Sequence, residues 1–253
     1  MTNRMRKWIR RVLILVLVVL LGWLGYRWSM SQPALSPVKT VPKQLFGQAK
    51  IYSQTDRQKI AGTIAAQDQT ANSLTKQGFV AIPKLSILLP IYDNAYSAKA
   101  LNLGANTAQK GTPVPTMGQG NYTLAAHNWN NGYTAFSALQ QKLKQNAPYY
   151  ANGQFGSSDW LNGQTIYLAN GDGVFRYQIT GQDGVSQDDV SVLDPNARDE
   201  DKAKLTIVTC LFPDTTKRII TSAKFVGFDD WADASNAEVS YFDTKSQKIN
   251  LAP

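Results

Sequence analysis

From residue 78 to about 230 the chain is written in short runs of β-branched and aromatic residues, spaced nearly regularly and broken by Gly, Asn, Asp and Pro. Runs of this length and composition fit half-buried strands. They are Phe79 to Ile82, Ser86 to Ile91, Tyr122 to His127, Thr165 to Ala169, Val174 to Thr180, Leu205 to Cys210 and Arg218 to Phe228. Turn signals such as Asn170-Gly-Asp-Gly173 separate them, so the pattern predicts one all-β domain, a barrel or a sandwich, long enough at about 175 residues to bury an adequate core. Short helices are expected at Ala98 to Leu101 and at Tyr133 to Leu143, where Phe136, Leu139 and Leu143 recur at helical spacing as a core stripe.

The first thirty residues have a different character. Arg4, Arg6, Lys7, Arg10 and Arg11 precede an uncharged stretch from Val12 to Tyr26, closed by Arg27. Such a stretch spans a membrane if Arg11 and Arg27 snorkel and Trp8, Trp23, Tyr26 and Trp28 sit at the interfaces. The positive-inside rule then leaves the N-terminus in the cytoplasm and the rest of the chain outside. A cleaved signal peptide ending near Ser29-Met-Ser31 is the rival, and it exports the domain equally.

This segment also accounts for the charge. Six of the 26 Lys and Arg and none of the 18 Asp and Glu lie in residues 1–30, which leaves 20 bases against 18 acids, a net of about +2. The exported part carries no basic, aromatic-interleaved patch of the kind that binds nucleic acid. Residues 31–77 read as a linker: an extended spacer with Pro33, Pro37 and Pro42, then a mostly exposed helix around Ile51 to Leu74 with weak apolar spacing at Ile60, Ile64 and Leu74. The β domain is expected to begin at residue 78 and to run to residue 253.

The 253 residues include one cysteine, Cys210, and one histidine, His127, each at the end of a predicted strand. A lone cysteine is usually a small buried hydrophobe, and a lone histidine is usually structural. In an exported protein an unpaired thiol risks oxidation, which makes the pair a candidate nucleophile and proton carrier.

Four segments, in order, resemble the class A sortases, membrane-anchored cysteine transpeptidases of Gram-positive bacteria. They are Ile82-Pro-Lys-Leu-Ser-Ile-Leu-Leu-Pro-Ile-Tyr92, Gly118-Gln-Gly-Asn-Tyr-Thr-Leu-Ala-Ala-His127-Asn, Val190-Ser-Val-Leu-Asp194, and Thr206-Ile-Val-Thr-Cys210 with Arg218 eight residues on. The resemblance covers roughly residues 78 to 230. It implies a closed β-barrel of about eight strands with short helices. It also implies that Cys210 is the nucleophile, His127 the proton carrier and Arg218 the stabiliser of the reacting carbonyl. Each role has chemical sense: imidazolium and guanidinium favour a thiolate, and arginine keeps its charge and offers a rigid fork of donors. Lys217 competes with Arg218, but adjacent strand residues point to opposite faces, so one of the two faces the cleft.

The partners implied are surface proteins ending in a Leu-Pro-x-Thr-Gly sorting signal and an amine on a cell-wall precursor. Such enzymes cut between Thr and Gly and hold the chain as a thioester. Val190, Val192 and Leu193, with Ala125, Thr206, Val208 and Thr209, are the expected substrate contacts. No cofactor is implied, although calcium binds beside the substrate loop in some members, where Asp194, Asp199, Glu200 and Asp201 offer oxygens.

The chain departs from the pattern at Ala126, where Gly is usual, at Ile207, where Leu is usual, and near Gln187, where a Pro is usual. A polar stretch from about Gln140 to Gly163 is longer than the class leads one to expect. Rival readings are a pilin-polymerising sortase, a papain-like cell-wall peptidase, in which Cys would precede His and open a helix, and an anchored binding module without chemistry.

Overall fold

The computed structural model describes residues 50–68, 74–108, 116–194 and 203–251. The proposed membrane anchor and the proline-rich spacer lie outside them. Among the described residues no helix is long and apolar enough to cross a membrane.

Eight strands form the barrel: β1 (Lys76–Ile82), β2 (Ile87–Tyr92), β3 (Ala105–Thr107), β4 (Asn121–Ala125), β5 (Thr165–Ala169), β6 (Gly173–Ser186), β7 (Lys204–Cys210) and β8 (Lys217–Asp230). The hydrogen-bonded order is β8-β7-β4-β3-β2-β1-β5-β6, and β6 pairs back onto β8 to close the ring. Closure leaves no sheet edge open among these eight. Two contacts are parallel, β2 with β3 and β4 with β7, and the others are antiparallel. Of the expectations above, the strands at 165–169 and 205–210 match within a residue, whereas β6 runs six residues past Thr180 and β3 went unread.

Alternation along the strands sorts two cores. Val80 and Ile82 point into the barrel with Leu89, Leu124, Ile166 and Ile207. Phe79 and Ala81 point outward, yet are equally buried, because Ile64 of helix α1 (Gln54–Ala65), Val239 of helix α3 (Asn236–Tyr241), and Trp231 and Phe242 on either side of α3 pack over them. A strand covered on both faces reads as a continuous apolar run, which is how Phe79 to Ile82 is spelled.

Helix α1 is mostly exposed, as expected, with only Arg57 and Ile64 buried along it, but it is not a linker: it belongs to the same compact body as the barrel. Ser53 and Asp56 form a reciprocal capping box at its start. Arg57, buried on the inward face, donates to the carbonyls of Tyr52, Trp231 and Ala234 and to Asn236 Oδ1. A buried cation is tolerable when carbonyls satisfy its donors. The compact unit that holds the barrel therefore begins near residue 49.

Helix α2 (Ala98–Leu103) forms as predicted. The helix expected over Tyr133 to Leu143 does not. Only one 3-10 turn, Ser137–Leu139, appears there. Ala135 has φ +48°, a left-handed backbone that a right-handed helix cannot pass through. Phe136 and Leu139 are buried as the stripe predicted, but Leu143 is 42% exposed. The polar stretch that follows carries a two-rung strand pair, Tyr150–Ala151 with Gln154–Phe155, and a short strand, Ser157–Ser158, on β6.

Candidate active site

Register builds the site. In the parallel pair β4 and β7, Ala125 lies beside Val208. His127 and Cys210 each follow two residues later, so alternation returns both to the face of that matched pair. The contact persists beyond Ala125: the Ala126 amide donates to the Val208 carbonyl at 3.4 Å and Thr209 Oγ1 donates to the Ala126 carbonyl at 2.8 Å. Strand β8 then returns antiparallel and sets Arg218 directly opposite Cys210. Cross-strand partners share a face. Lys217 points away, ion-paired with Asp214 and with its ammonium 4.1 Å from the Tyr150 ring centre. Of the two adjacent cations, Arg218 is the one in the cleft.

Cys210, His127 and Arg218 line one cavity of about 340 Å³. Ala125, Val190, Val192, Leu193, Val208 and Thr209 line it too, as expected. Thr206 does not. It is buried, its Oγ1 donates to Asn121 Oδ1 at 2.7 Å, and Asn121 Nδ2 donates to the carbonyls of Val192 at 3.1 Å and Asp194 at 3.0 Å. The 191–194 turn covers this part of the β7 face, so Thr206 supports the loop from beneath instead of meeting the cleft. Sequence reasoning missed Tyr96, Leu101, Ala108, Val185 and Ile220 on the wall. Val185 lies beside Arg218 in the antiparallel β6–β8 pair, and the signal for it lay in the continuation of the β6 run past Thr180.

His127 is half-buried, and burial pushes its pKa below the ordinary imidazole value, favouring the neutral ring. That ring lies 5.1 Å from the Trp129 ring, centre to centre, at 58°. Arg218 Nη1 donates to the carbonyls of Thr215 at 2.7 Å and Lys217 at 2.9 Å, which fixes the guanidinium on its own turn; Nη2 reaches Gln187 Oε1 at 3.5 Å. Cys210 is a free, partly buried thiol. Ile207 fills the barrel interior, and Ala126 is buried within the β4–β7 contact, so neither departure from the family pattern displaces a reactive group.

Behind the thiol and the imidazole sits a buried amide pair. Asn128 Nδ2 donates to the Cys210 carbonyl at 2.9 Å and to Gln140 Oε1 at 2.7 Å. Gln140 Oε1 also accepts from the Phe212 amide at 3.0 Å, and Gln140 Nε2 donates to the carbonyls of Phe212, Lys142 and Gln145. The residue after His127 and the residues from Cys210 to Phe212 are thus tied to one point, which is also the first residue of the long polar stretch. No motif announced this brace.

Of the acids considered for calcium, Asp199, Glu200 and Asp201 lie outside the described residues. Among the described residues no three His, Cys, Asp or Glu side chains gather to hold a metal ion.

A thiol at a strand end, an imidazole two residues past the end of the adjoining strand and a permanently charged guanidinium beside an apolar groove suit acyl transfer through a covalent intermediate. The fold and cleft thus define a cysteine acyltransferase on a closed mixed barrel. The sortase domain family matches residues 80–226. The chain is 29% identical over 192 residues to sortase A of Streptococcus agalactiae serotype III (strain NEM316), which covers 74% of this chain and 68% of that protein. It is 29% identical over 175 residues to sortase A of Bacillus anthracis, covering 68% and 71%. The crystal structure of Listeria monocytogenes sortase A shares the fold, with a TM-score of 0.50 over 66% of this chain and 97% of that one, at 24% identity. The chain belongs to the sortase family, the cysteine transpeptidases.

Proposed function

We propose that this protein is a class A transpeptidase that cleaves Leu-Pro-x-Thr-Gly signals between Thr and Gly and passes the new carboxyl end to an amine of a cell-wall precursor. The observation that carries this reading is the register that sets Cys210 opposite Arg218 and level with His127 at one end of the apolar groove. Val190, Val192, Leu193, Ala125 and Val208 offer small and aliphatic surface suited to the Leu-Pro portion.

In this reading the Cys210 thiolate attacks the Thr carbonyl, and Arg218 stabilises the charge that develops on its oxygen. His127, as imidazolium, gives its proton to the departing glycine amine and is left neutral. The acyl group remains as a thioester on Cys210. An incoming amine then forms the new C–N bond, the C–S bond breaks, and the amine's proton goes to the neutral His127, restoring the thiolate–imidazolium pair. The basic tail and apolar stretch of residues 1–30 support a single-pass anchor with a cytoplasmic N-terminus and an extracellular domain.

The test is to mix the full-length chain with a Leu-Pro-x-Thr-Gly peptide, with and without oligoglycine, alanyl and aspartyl amines, and to read products by mass spectrometry. The expected result is a peptide adduct on Cys210 without amine, ping-pong kinetics, and ligated product with at least one amine. Steady release of free acid with no ligation to any amine would make it a peptidase.

A further inference from the structure

His127 lines the thioacyl cleft, and its ring also meets the Trp129 ring, which does not line that cleft. We propose that Trp129, with Tyr133 four residues on in the same loop, forms the docking surface for the second substrate, the cationic amine end of the acceptor. This inference rests on the transpeptidase reading above and adds to it where the acceptor binds.

Proton bookkeeping gives the first reason. The acceptor docks as its ammonium, gives one proton to solvent to become the neutral nucleophile, and loses a second while its C–N bond forms and the C–S bond breaks; the neutral His127 imidazole is the base that takes this second proton. The acceptor nitrogen must therefore arrive within hydrogen-bond reach of that ring. The second reason is what lies there. The Trp129 ring, 5.1 Å from the imidazole, is 45% exposed, and Tyr133 is 60% exposed. Neither lines the thioacyl cleft, whose wall comes from the 95–108 and 185–193 segments and strands β4, β7 and β8. The two faces of the dyad are thus separately furnished.

The third reason is that the loop carrying this exposed aromatic is held in place. The Trp129 amide donates to Ser137 Oγ at 2.7 Å, and the Asn130 amide to Asn128 Oδ1 at 2.7 Å. Asn130 Oδ1 accepts from the Lys144 amide at 2.9 Å, Asn131 Oδ1 accepts from the Tyr133 and Thr134 amides, and Asn250 Nδ2 donates to the Tyr133 carbonyl. A large, partly exposed ring gains little from burial in the free protein, and a loop backbone already fixed by these bonds has little freedom to lose when a ligand covers the ring, which is the economy of a preorganised contact. An ammonium over an indole face gains cation–π attraction, and peptide or sugar carbons next to it cover the rest of the ring.

The test uses the full-length protein, a Leu-Pro-x-Thr-Gly donor, and triglycine and dialanine as acceptor probes, with thioester formation followed separately by rapid quench. Trp129→Leu should raise the acceptor KM about 10-fold, with the share of hydrolysed product rising, while thioester formation slows by no more than about threefold. Trp129→Phe, which keeps an aromatic face, should recover most of the acceptor affinity. An unchanged acceptor KM in Trp129→Leu, or equal losses of thioester formation and acceptor use in both variants, would overturn the docking surface. Failure of the wild type to form any Cys210 adduct would instead overturn the transpeptidase reading beneath it.

Discussion

The two sides of the reactive thiol are built on opposite principles. The substrate wall is small and aliphatic: the 191–194 turn that carries Val192 and Leu193 is held to the barrel by hydrogen bonds from Asn121 and caps itself through Asp189 and Ser191. The brace behind the thiol is polar, buried and saturated, with every hydrogen of the Asn128 and Gln140 amides engaged. A groove that receives an extended peptide benefits from surface that can adjust, whereas a proton transfer between His127 and a Cys210 intermediate tolerates little misplacement. Substitutions on the two sides should therefore fail differently.

In the proposed mechanism the largest effects come from Cys210 and His127. Cys210→Ala and His127→Ala should each lower turnover by at least about a thousandfold in a peptide cleavage assay. Both residues are partly exposed at strand ends, so circular dichroism should show an unchanged fold. Retained cleavage in either variant would sink the mechanism and leave the comparison without a reacting centre. Next comes Arg218→Ala, expected to lower kcat/KM by at least about 100-fold, the scale of one lost oxyanion donor. Lys217→Ala should change it little, because its ammonium is spent on Asp214 and the Tyr150 ring, away from the cleft. Equal losses would place Lys217 in the chemistry.

The brace and the wall can be set against each other directly. Gln140→Leu keeps much of the side-chain volume but strands the Phe212 amide and one Asn128 hydrogen in a dry site, so kcat should fall about 10-fold or more with donor KM nearly unchanged. Thermal stability should drop as well, by about 1–3 kcal/mol. Asn121→Ala releases the substrate turn instead, and should raise donor KM about 3- to 10-fold while kcat holds better. If the two variants give the same kcat and KM pattern, the division between rigid brace and adjustable wall is wrong.

The strands that end at His127 and Cys210 could be read in the sequence because β-branched and aromatic side chains mark a pleated, half-buried surface, and their parallel pairing turns two matching sequence ends into one site. What stayed hidden was written in polar residues. Arg57 looks like a solvated helix position until its guanidinium is seen among backbone carbonyls, so α1 read as a linker. Ala-Asn-Thr at 105–107 carries none of the bulk by which a strand announces itself. The stripe of Phe136 and Leu139 was rightly placed in the core, but side-chain hydrogen bonds from Asn131, Ser137 and Gln140 to the backbone outcompeted the helix that their spacing suggested. Gln140 and Asn128 show why a polar stretch resists interpretation: an amide braces an active site only through partners 12, 72 and 82 residues away.

The smallest expected effect concerns pH, and it tests whether the half-buried setting of His127 matters to the chemistry. The productive form carries one proton shared between His127 and Cys210, and the thiolate–imidazolium pair is one arrangement of that proton. As pH rises, kcat/KM climbs when the two-proton state loses its first proton. That loss occurs at or below the pKa of His127, whichever group gives it up, and the apparent value belongs to the pair. Since burial lowers the His127 pKa, the rising limb should lie below about 6.5, the value of a solvated imidazole. Trp129→Ala uncovers one side of the ring, so the limb should move upward, toward the solvated value, by a fraction of a unit. A kcat/KM profile measured at saturating acceptor reads both numbers. A limb above 6.5 in the wild type, or one that moves down when the indole is removed, would mean that a neighbouring charge outweighs burial at the imidazole and that the brace side of the cleft does not govern the proton.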